Sequence, residues 1–181
     1  MLTHIHGIMT FQRWIIAASM CCMLGVGTAT AAPIDDAGAA YNRGDYAQAI
    51  KLFRPLAAKG NAGAQTMLGM MYVKGEGVTR DYSEAFKWFL LSAAQGDAGA
   101  QNNLGAMYFN GDGVTRNYQE ALNLFRLSAA QTNKHGQTNL AAMYLNGYGV
   151  TKDSQEAVKW YRLAAAQGDV SAGKVLKRLK Q

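Results

Sequence analysis

The sequence repeats itself with a period of 36 residues. Three complete units, at residues 61–96, 97–132 and 133–168, align with one another without a gap. Residues 32–60 hold a shortened first unit, and residues 169–181 begin another unit that stops after the length of one helix. Because a unit of this size cannot bury its apolar face alone, neighbouring units must cover one another. The period therefore predicts a stack of units, not a fold around one central core.

Each complete unit has the pattern of two helices. In the first helix, Ala64, Leu68 and Met71 are spaced to lie on one face, and Asn61 stands where an N-cap is needed. The second helix begins with a capping box, in which a short polar residue is followed three residues later by glutamate. The box recurs as Asp81 with Glu84, Asn117 with Glu120, and Asp153 with Glu156. The sequence therefore predicts an all-α fold, an α-solenoid of stacked antiparallel helix pairs.

Two glycines, Gly69 and Gly105, fall in the middle of predicted first helices. A mid-helix glycine costs about 1 kcal/mol relative to alanine, so its recurrence indicates that another helix approaches closely at this position. The third unit departs from the pattern, with Ala141 at this position and Thr132 in place of the glycine that closes the preceding unit. We therefore expect the least regular packing at residues 132–136.

The full pattern of recurring residues resembles a known repeat family. In the first complete unit it consists of Ala64, Leu68, Gly69, Tyr72, Gly75, Gly77, Val78, Asp81, Ala85, Trp88, Ala93, Ala94 and Gly96. This pattern resembles the Sel-one-like repeat (SLR) family, a relative of the tetratricopeptide repeat, over essentially the whole chain after residue 31. Residues 32–60 look like the tetratricopeptide-like start of small exported bacterial members. The resemblance implies a superhelix whose concave face holds an extended peptide or a helix of a partner.

Residues 1–31 have the features of a secretory signal peptide. Arg13 precedes an uncharged apolar stretch, and Ala29-Thr30-Ala31 fits the small-x-small rule of signal peptidase. We expect cleavage before Ala32, which predicts a periplasmic or secreted protein. An uncleaved membrane anchor is the alternative.

The chain after residue 31 offers few groups for catalysis. It keeps one histidine, His135, and no cysteine, because the other two histidines and both cysteines lie in the export segment. It therefore lacks a cysteine nucleophile, a cysteine-ligated metal and a pair of histidine ligands. The recurring loop at Gly75–Arg80 is not followed by the Gly-Lys-Ser/Thr of a phosphate-binding loop, and it predicts a turn. We expect no catalytic residue, no metal and no cofactor.

The net charge of +6 is unevenly distributed. Without Arg13 the cations number 17 and the acids 12, and four of the five excess charges lie in the last helix, at Lys174, Lys177, Arg178 and Lys180. The body is therefore nearly neutral, and we expect no binding of nucleic acid. Residues 169–181 are predicted to form a helix that caps the stack, because the ends of a solenoid need a polar outer face. Contact of this basic helix with anionic lipid or polymer is the alternative.

The face of the first helices that core and caps leave unused is the predicted partner-binding groove. Its residues are Thr66, Met70, Val73, Lys74, Asn102, Ala106, Phe109, Asn110, His135, Thr138, Ala142, Leu145 and Asn146. Because the second unit is central, we expect Phe109 and Asn110 to contribute most to binding. In the alternative interpretation, some of Val73, Phe109 and Leu145 pack against the neighbouring unit instead.

By this resemblance, the function is predicted to be that of an exported, non-catalytic adaptor, a monomer that binds a protein or peptide. Exported SLR proteins act in envelope signalling, in assembly of secretion or polysaccharide machinery and in host contact. A cell-wall or β-lactam-active enzyme is a further alternative, but the relatives of that kind pair two cysteines in every repeat. The chain after residue 31 has none.

Overall fold

A computed structural model describes residues 33–179, so the predicted export segment and its cleavage site before Ala32 lie outside the described residues. Within these residues the chain forms helices and no strand. The helices are α1 (Pro33–Asn42), α2 (Tyr46–Ala58), α3 (Ala62–Lys74), α4 (Tyr82–Ala94), α5 (Ala98–Asn110), α6 (Tyr118–Ala130), α7 (Lys134–Asn146), α8 (Ser154–Ala166) and α9 (Val170–Leu179).

The helices pack in chain order. The hairpins α1/α2, α3/α4, α5/α6 and α7/α8 each contact the next, and α9 packs against α8. The apolar side chains form a row of small clusters instead of one central core, and each cluster takes residues from neighbouring hairpins. The methionines Met71, Met107 and Met143, which share one position in the repeat, are all buried. The predicted all-α solenoid of helix pairs is confirmed.

The boundary before the third complete unit keeps the backbone pattern of the others but packs differently. Thr132 has φ 61°, in the left-handed region that the glycines before the other units occupy, at a cost of about 1–2 kcal/mol. Its backbone N–H donates to the carbonyl of Ala129 at 3.0 Å, as the N–H of Gly96 donates to Ala93 at 2.9 Å.

Gly136 stands where the other units have Ala64 and Ala100, and a methyl group on it would lie 2.5 Å from the Ser128 hydroxyl. The departure expected at residues 132–136 therefore lies in this tighter packing, while the helix ends stay regular.

Each capping box forms only in part. The Asn117 side chain accepts hydrogen bonds from the backbone N–H groups of Gln119 and Glu120. In a complete capping box the Glu120 side chain would accept a hydrogen bond from the backbone N–H of Asn117. This bond does not form, because that N–H already donates to the carbonyl of Tyr108 at 2.8 Å. The same arrangement holds for Asp81 and Asp153, whose N–H groups donate to the carbonyls of the tyrosines that end the preceding helix core, Tyr72 and Tyr144. The cap thus joins the two helices of a hairpin.

The mid-helix glycines allow the two helices of a hairpin to touch. A methyl group on Gly69 would lie 2.6 Å from the ring of Phe89, and one on Gly105 would lie 2.8 Å from the ring of Phe125. Both distances are too short for real atoms, which confirms the predicted close approach.

Glycines in the recurring loop serve contact between units. Gly113 and Gly149 have φ 69° and 63°, and a methyl group on either would lie 2.7 Å from the backbone of Tyr82 or Tyr118 respectively. Each loop therefore rests on the first residue of the second helix in the preceding unit. This contact fixes the position of one unit on the next, and it explains why the turn recurs.

Candidate partner-binding groove

The first helices of successive units face one another on the inner side of the stack. Helix α5 contacts helix α7 directly, and Asn139 Nδ2 donates to Asn102 Oδ1 at 2.8 Å. The hydroxyl of Thr66 donates to the carboxylate of Asp97 at 3.1 Å, which ties α3 to the start of α5. The inner surface is therefore built from α3, α5, α7 and the start of α9.

One cavity on this surface has a volume of about 580 Å³. Polar side chains of four successive units surround it: Thr66, Asn102, Asn103, Asn133, His135, Thr138, Asn139, Asp169 and Ser171. Carboxamides both donate and accept, so such a lining matches the alternating N–H and C=O groups of an extended peptide backbone.

Two smaller cavities, of about 250 and 290 Å³, lie beside the polar one on the same inner surface. Met70 and Asn103 line both the polar cavity and the first of these. Ala106 and Asn110 line both smaller cavities, and Asn139 links the second of them to the polar cavity. Shared walls therefore join the three cavities into one groove, which runs across the second and third complete units.

Six of the residues predicted from the sequence line this groove. They are Met70, Asn102, Ala106, Asn110, His135 and Ala142. His135, with 63% of its side chain exposed, and Asn110 are open to solvent, whereas Met70 is half-buried and packs partly on the cluster of α4 and α5.

Four further predicted residues are engaged in hydrogen bonds within the chain. Thr66 bonds to Ser92 at 2.8 Å and Thr138 donates to Asp169 at 3.0 Å, so both hydroxyls hold units together although they border the groove. Lys74 donates to the Tyr41 hydroxyl at 2.9 Å. Asn146 donates to the carbonyl of Ala142 at 2.9 Å.

The three predicted apolar residues pack against neighbouring helices, as the alternative interpretation holds. Val73 packs on the cluster formed by α4 and α5, and Leu145 on the cluster formed by α7, α8 and α9. The Phe109 ring lies 5.2 Å from the ring of Tyr118 and 5.3 Å from that of Tyr148. One edge of Phe109 still borders the groove beside Asn110.

Sequence reasoning missed Asn103 and Asn139, which line the centre of the groove. The two asparagines occupy the same position in successive units, and this recurrence is visible in the sequence. The first complete unit has Met67 at that position, which packs on the apolar core, so the position has the pattern of a core residue there. Asp169, whose side chain accepts a hydrogen bond from the backbone N–H of Ala172 at the start of α9, also lines the polar cavity.

The carboxylate of Asp169 stays charged inside the groove wall. Burial alone would raise its pKa, but the pKa is lowered overall by the backbone N–H of Ala172, the hydroxyl of Thr138 and the nearby imidazole of His135. The imidazole Nδ1 lies 3.7 Å from Asp169 Oδ2. The groove therefore carries a fixed negative charge at its C-terminal end.

The opposite end of the groove holds an ion pair, in which Lys74 faces Glu76. A hydrogen bond to the Tyr41 hydroxyl raises the pKa of Lys74, and Glu76 lies 3.7 Å from its ammonium group. Burial raises the pKa of Tyr41, so its hydroxyl keeps its proton and donates to Glu76 at 2.7 Å. Lys74, Tyr41 and Glu76 thus serve as one another's hydrogen-bond and ion-pair partners. This arrangement provides no free base or nucleophile.

The described part of the chain contains no group of three or more His, Cys, Asp or Glu side chains arranged to hold a metal ion. None of the helices between residues 33 and 179 is both long and apolar enough to cross a membrane.

Stacked helix pairs with a continuous inner groove define the class of helical-repeat scaffolds. The sequence model of the Sel1 repeat matches residues 37–61, 62–97, 98–133 and 134–169, and the chain therefore belongs to the Sel1 repeat family. Proteins of this family generally mediate contacts between proteins and are typically non-catalytic. No curated protein matches the chain.

Solved structures with the same fold include two of clear sequence similarity. A Sel1 repeat protein from Oxalobacter formigenes is 33% identical with a TM-score of 0.76, covering 81% of this chain and 59% of its own. A protective antigen of uropathogenic Escherichia coli with an SLR fold is 40% identical with a TM-score of 0.70, covering 75% and 30%. The chain thus spans less than two thirds of either protein.

A third structure shows the fold alone. Cysteine-rich protein B of Helicobacter pylori is 18% identical, with a TM-score of 0.54, and the match covers 79% of this chain and 96% of that one.

Proposed function

We propose that this protein is an exported, non-catalytic adaptor that binds a protein partner in the groove of the inner face. The groove would hold an extended segment whose backbone bonds to the asparagines and whose side chains enter the two smaller cavities. Pathways that use such adaptors include envelope signalling, assembly of envelope machinery and contact with a host.

The continuity of the groove carries this proposal. Three cavities share walls, and the centre is lined by Asn102, Asn103 and Asn139, none of which forms a helix cap. The carboxamide of Asn103 lies beside Met70 in the wall of the groove. Other residues of the same helix have clear structural roles, because its buried residues pack in the core and Asp97 caps its first turn. Asp169 gives one end of the groove a negative charge, whereas Lys74 at the other end is paired with Glu76, and this asymmetry suits a chain that binds in one orientation.

The groove is tested with Met70→Ala combined with Asn103→Ala. These residues line two cavities each, so their loss removes contacts in the centre, where binding energy concentrates. We expect capture of the partner from the organism's own envelope fraction, quantified by mass spectrometry, to weaken tenfold or more, about 1.4 kcal/mol. This pair replaces Phe109 as the primary test, because Phe109 also packs against Tyr118 and Tyr148.

The matched control for the groove is Gln119→Ala combined with Asn123→Ala. These exposed residues bond weakly to each other, at 3.4 Å, on the outward side of α6. Circular dichroism should match wild type for both double variants. The melting curve should match wild type for the control, whereas the groove variant should melt lower but stay folded at the assay temperature, because Met70 also packs on the cluster of α4 and α5. If the control loses the partner while the groove variant keeps it, the partner binds the outer face and the proposal is wrong.

Export is tested by the N-terminus of the protein from the envelope fraction. We expect the chain to begin at Ala32, because the small residues at Ala29 and Ala31 suit signal peptidase. Intact mass spectrometry measures this directly. A mass that retains Cys21 and Cys22 would contradict cleavage and indicate a membrane-tethered form.

A further inference from the structure

The outer face of the stack carries a row of exposed leucines. Leu91, Leu127 and Leu163 occupy the same position in three successive second helices, and they are 50%, 53% and 50% exposed. We call these three residues the outer leucine row. Single exposed leucines are normal on a protein surface, but here an exposed leucine recurs at one position of three successive second helices, so a partner that lies across these helices meets all three. The equal exposures show that stacking of the units leaves the row uncovered.

Small residues lie beside the outer leucine row on one side, and arginines lie beside it on the other. Exposed alanines follow the row three residues later, at Ala94, Ala130 and Ala166. Because alanine side chains are small, a partner can approach the helix backbone closely beside the leucines.

Cations border the second and third leucines of the outer leucine row, whereas Leu90, 47% exposed, stands at the equivalent position beside Leu91. Arg126 and Arg162 directly precede Leu127 and Leu163, and both are exposed. Neither takes part in an ion pair among the described residues, although Arg126 donates one hydrogen bond to the Tyr144 hydroxyl at 3.1 Å.

Carboxylates on the outer face lie away from the outer leucine row. They occur at Glu84, Glu120 and Glu156, in the first turns of the second helices. Each is seven residues before a leucine of the row, or about 10 Å along the helix. Glu84 and Glu156 are already paired with Lys87 and Lys159, at 2.5 and 2.8 Å. The surroundings of the leucines are therefore apolar and positive.

We propose that the outer leucine row and its flanking arginines form a second docking surface, which binds an amphipathic helical segment of a partner protein. The apolar stripe of that segment would cover the leucines and alanines, and carboxylates along one side of the stripe would pair with Arg126 and Arg162. Helices recognised through one apolar face use this kind of surface, and charge complementarity fixes their orientation.

Charge distinguishes this occupant from a second copy of the chain. In a two-fold dimer through the outer leucine row, the same patch meets itself. The patch offers cations and alanines but no carboxylate to its own arginines. The first helix pair has Pro55 at the equivalent position, so the row ends there.

The probe is a labelled helical peptide of about 18 residues, with leucines on one face and glutamates on both borders. A second peptide has lysine in place of every glutamate. In fluorescence anisotropy, we expect the acidic peptide to bind with a micromolar Kd and the basic one at least tenfold more weakly. Binding of the acidic peptide should weaken as salt rises from about 50 to about 500 mM, since screening reduces the attraction to arginine.

Two variants locate the surface. The triple variant Leu91→Gln, Leu127→Gln, Leu163→Gln should bind the acidic peptide at least tenfold more weakly and keep its melting temperature, because the leucines are exposed. Arg126→Glu with Arg162→Glu should reverse the preference in favour of the basic peptide. The controls are Leu179→Gln, an exposed leucine outside the row, and the groove variant of Met70 and Asn103. Both should bind as wild type does.

Several results would overturn the proposal. One is equal binding of the acidic and basic peptides, and another is no binding of the acidic peptide below about 100 µM, far weaker than the micromolar affinities of ordinary recognition. Unchanged binding by the triple leucine variant would also do so. Dimers in sedimentation, or pelleting with anionic phosphatidylglycerol vesicles, would point to another occupant if the triple variant abolished either one. Because the groove variant is a separate control, failure here leaves the function of the groove untouched.

Discussion

At the scale of the residue, one atom decides how close two helices come. Gly69 and Gly105 lack a Cβ, and the rings of Phe89 and Phe125 occupy the space that it would fill. In the third unit Ala141 replaces the glycine, and it shares a buried cluster with Tyr161, which stands at the position of those phenylalanines. The glycine therefore contributes contact area, and its helix cost of about 1 kcal/mol is repaid by packing.

Substitution of Gly69 by alanine tests this role. Alanine favours the helix, but its methyl group must displace the Phe89 ring, so we expect the free energy of unfolding to fall by about 1–3 kcal/mol. Urea titration followed by circular dichroism measures the change.

The matched control for Gly69 is Gly38→Ala in α1, where a methyl group would meet nothing within 4 Å. That variant should gain about 0.5–1 kcal/mol, because alanine loses less backbone entropy in a helix than glycine does. Stabilisation of both variants to the same extent would show that Phe89 yields freely and that glycine is not required.

Asp169 gives the protein a defined dependence on pH. Its pKa lies below the ordinary value of 3.8 in the folded state. A depressed carboxylate pKa stabilises the fold above the unfolded pKa, and that contribution is lost as pH falls through the folded pKa. The variant Asp169→Asn keeps a capping side chain but has no charge. We expect wild type to be more stable by about 0.5–1.5 kcal/mol at neutral pH.

The difference between wild type and Asp169→Asn should shrink as pH falls below about 4. Urea unfolding at a series of pH values measures it, and comparison with the variant cancels the other carboxyl groups. A difference that stays constant down to pH values of about 2 would contradict the assigned hydrogen bonds to the charged carboxylate.

At the scale of the element, a ladder of glutamines connects the helices of each unit. Gln65, Gln101 and Gln137 are buried at one position of the first helices. The amide groups at the ends of the second helices donate to them at 2.7–2.8 Å, from Gln95, Gln131 and Gln167. A buried amide is costly without partners, so the ladder fixes the angle between the two helices of a hairpin.

Helix α9 acts as the end cap of the stack. Its Ala172 is fully buried, and Val175 and Leu176 pack on the cluster that contains Tyr161 and Ala164. Deletion of residues 169–181 would expose this cluster and remove Asp169 from the groove. Because uncovered solenoid ends lose both stability and solubility, we expect the truncated chain to aggregate or to lose about 3 kcal/mol or more.

The control for this truncation is a chain with Lys174→Gln, Lys177→Gln and Arg178→Gln. These exposed cations lie away from the apolar side of α9, so melting should be unchanged. If the truncated chain melts as wild type does while the charge variant fails to bind anionic vesicles that wild type binds, α9 serves as an envelope anchor instead.

At the scale of the whole molecule, the repeat makes the inner and outer faces chemically different. The inner face presents amides and small cavities, with the Asp169 carboxylate at one end and the Lys74–Glu76 pair at the other. The outer face presents leucine, alanine and arginine at fixed intervals. Because stability in a solenoid comes from contacts between neighbours, either face can vary without unfolding the chain. We therefore expect the two proposed surfaces to bind independently of one another.

The sequence alone determined the period, the helices and the caps. The helix that Asn61 begins runs from Ala62 to Lys74, as its spacing predicts, because these signals act between residues close in the chain. The close approach at Gly69 was also predictable, since a costly residue that recurs needs a reason.

The tertiary structure decided which residues are free to bind. The period shows that Thr66, Thr138 and Phe109 share a face, but the structure shows that the two threonines bond to aspartates and the phenylalanine packs on tyrosines. The contacts of the threonines with the aspartates and of Phe109 with Tyr148 join residues about one unit apart, and they depend on how far each unit rotates on the last. That rotation results from the sum of many side-chain contacts between units, such as Gly113 on Tyr82, and no local pattern in the sequence encodes it.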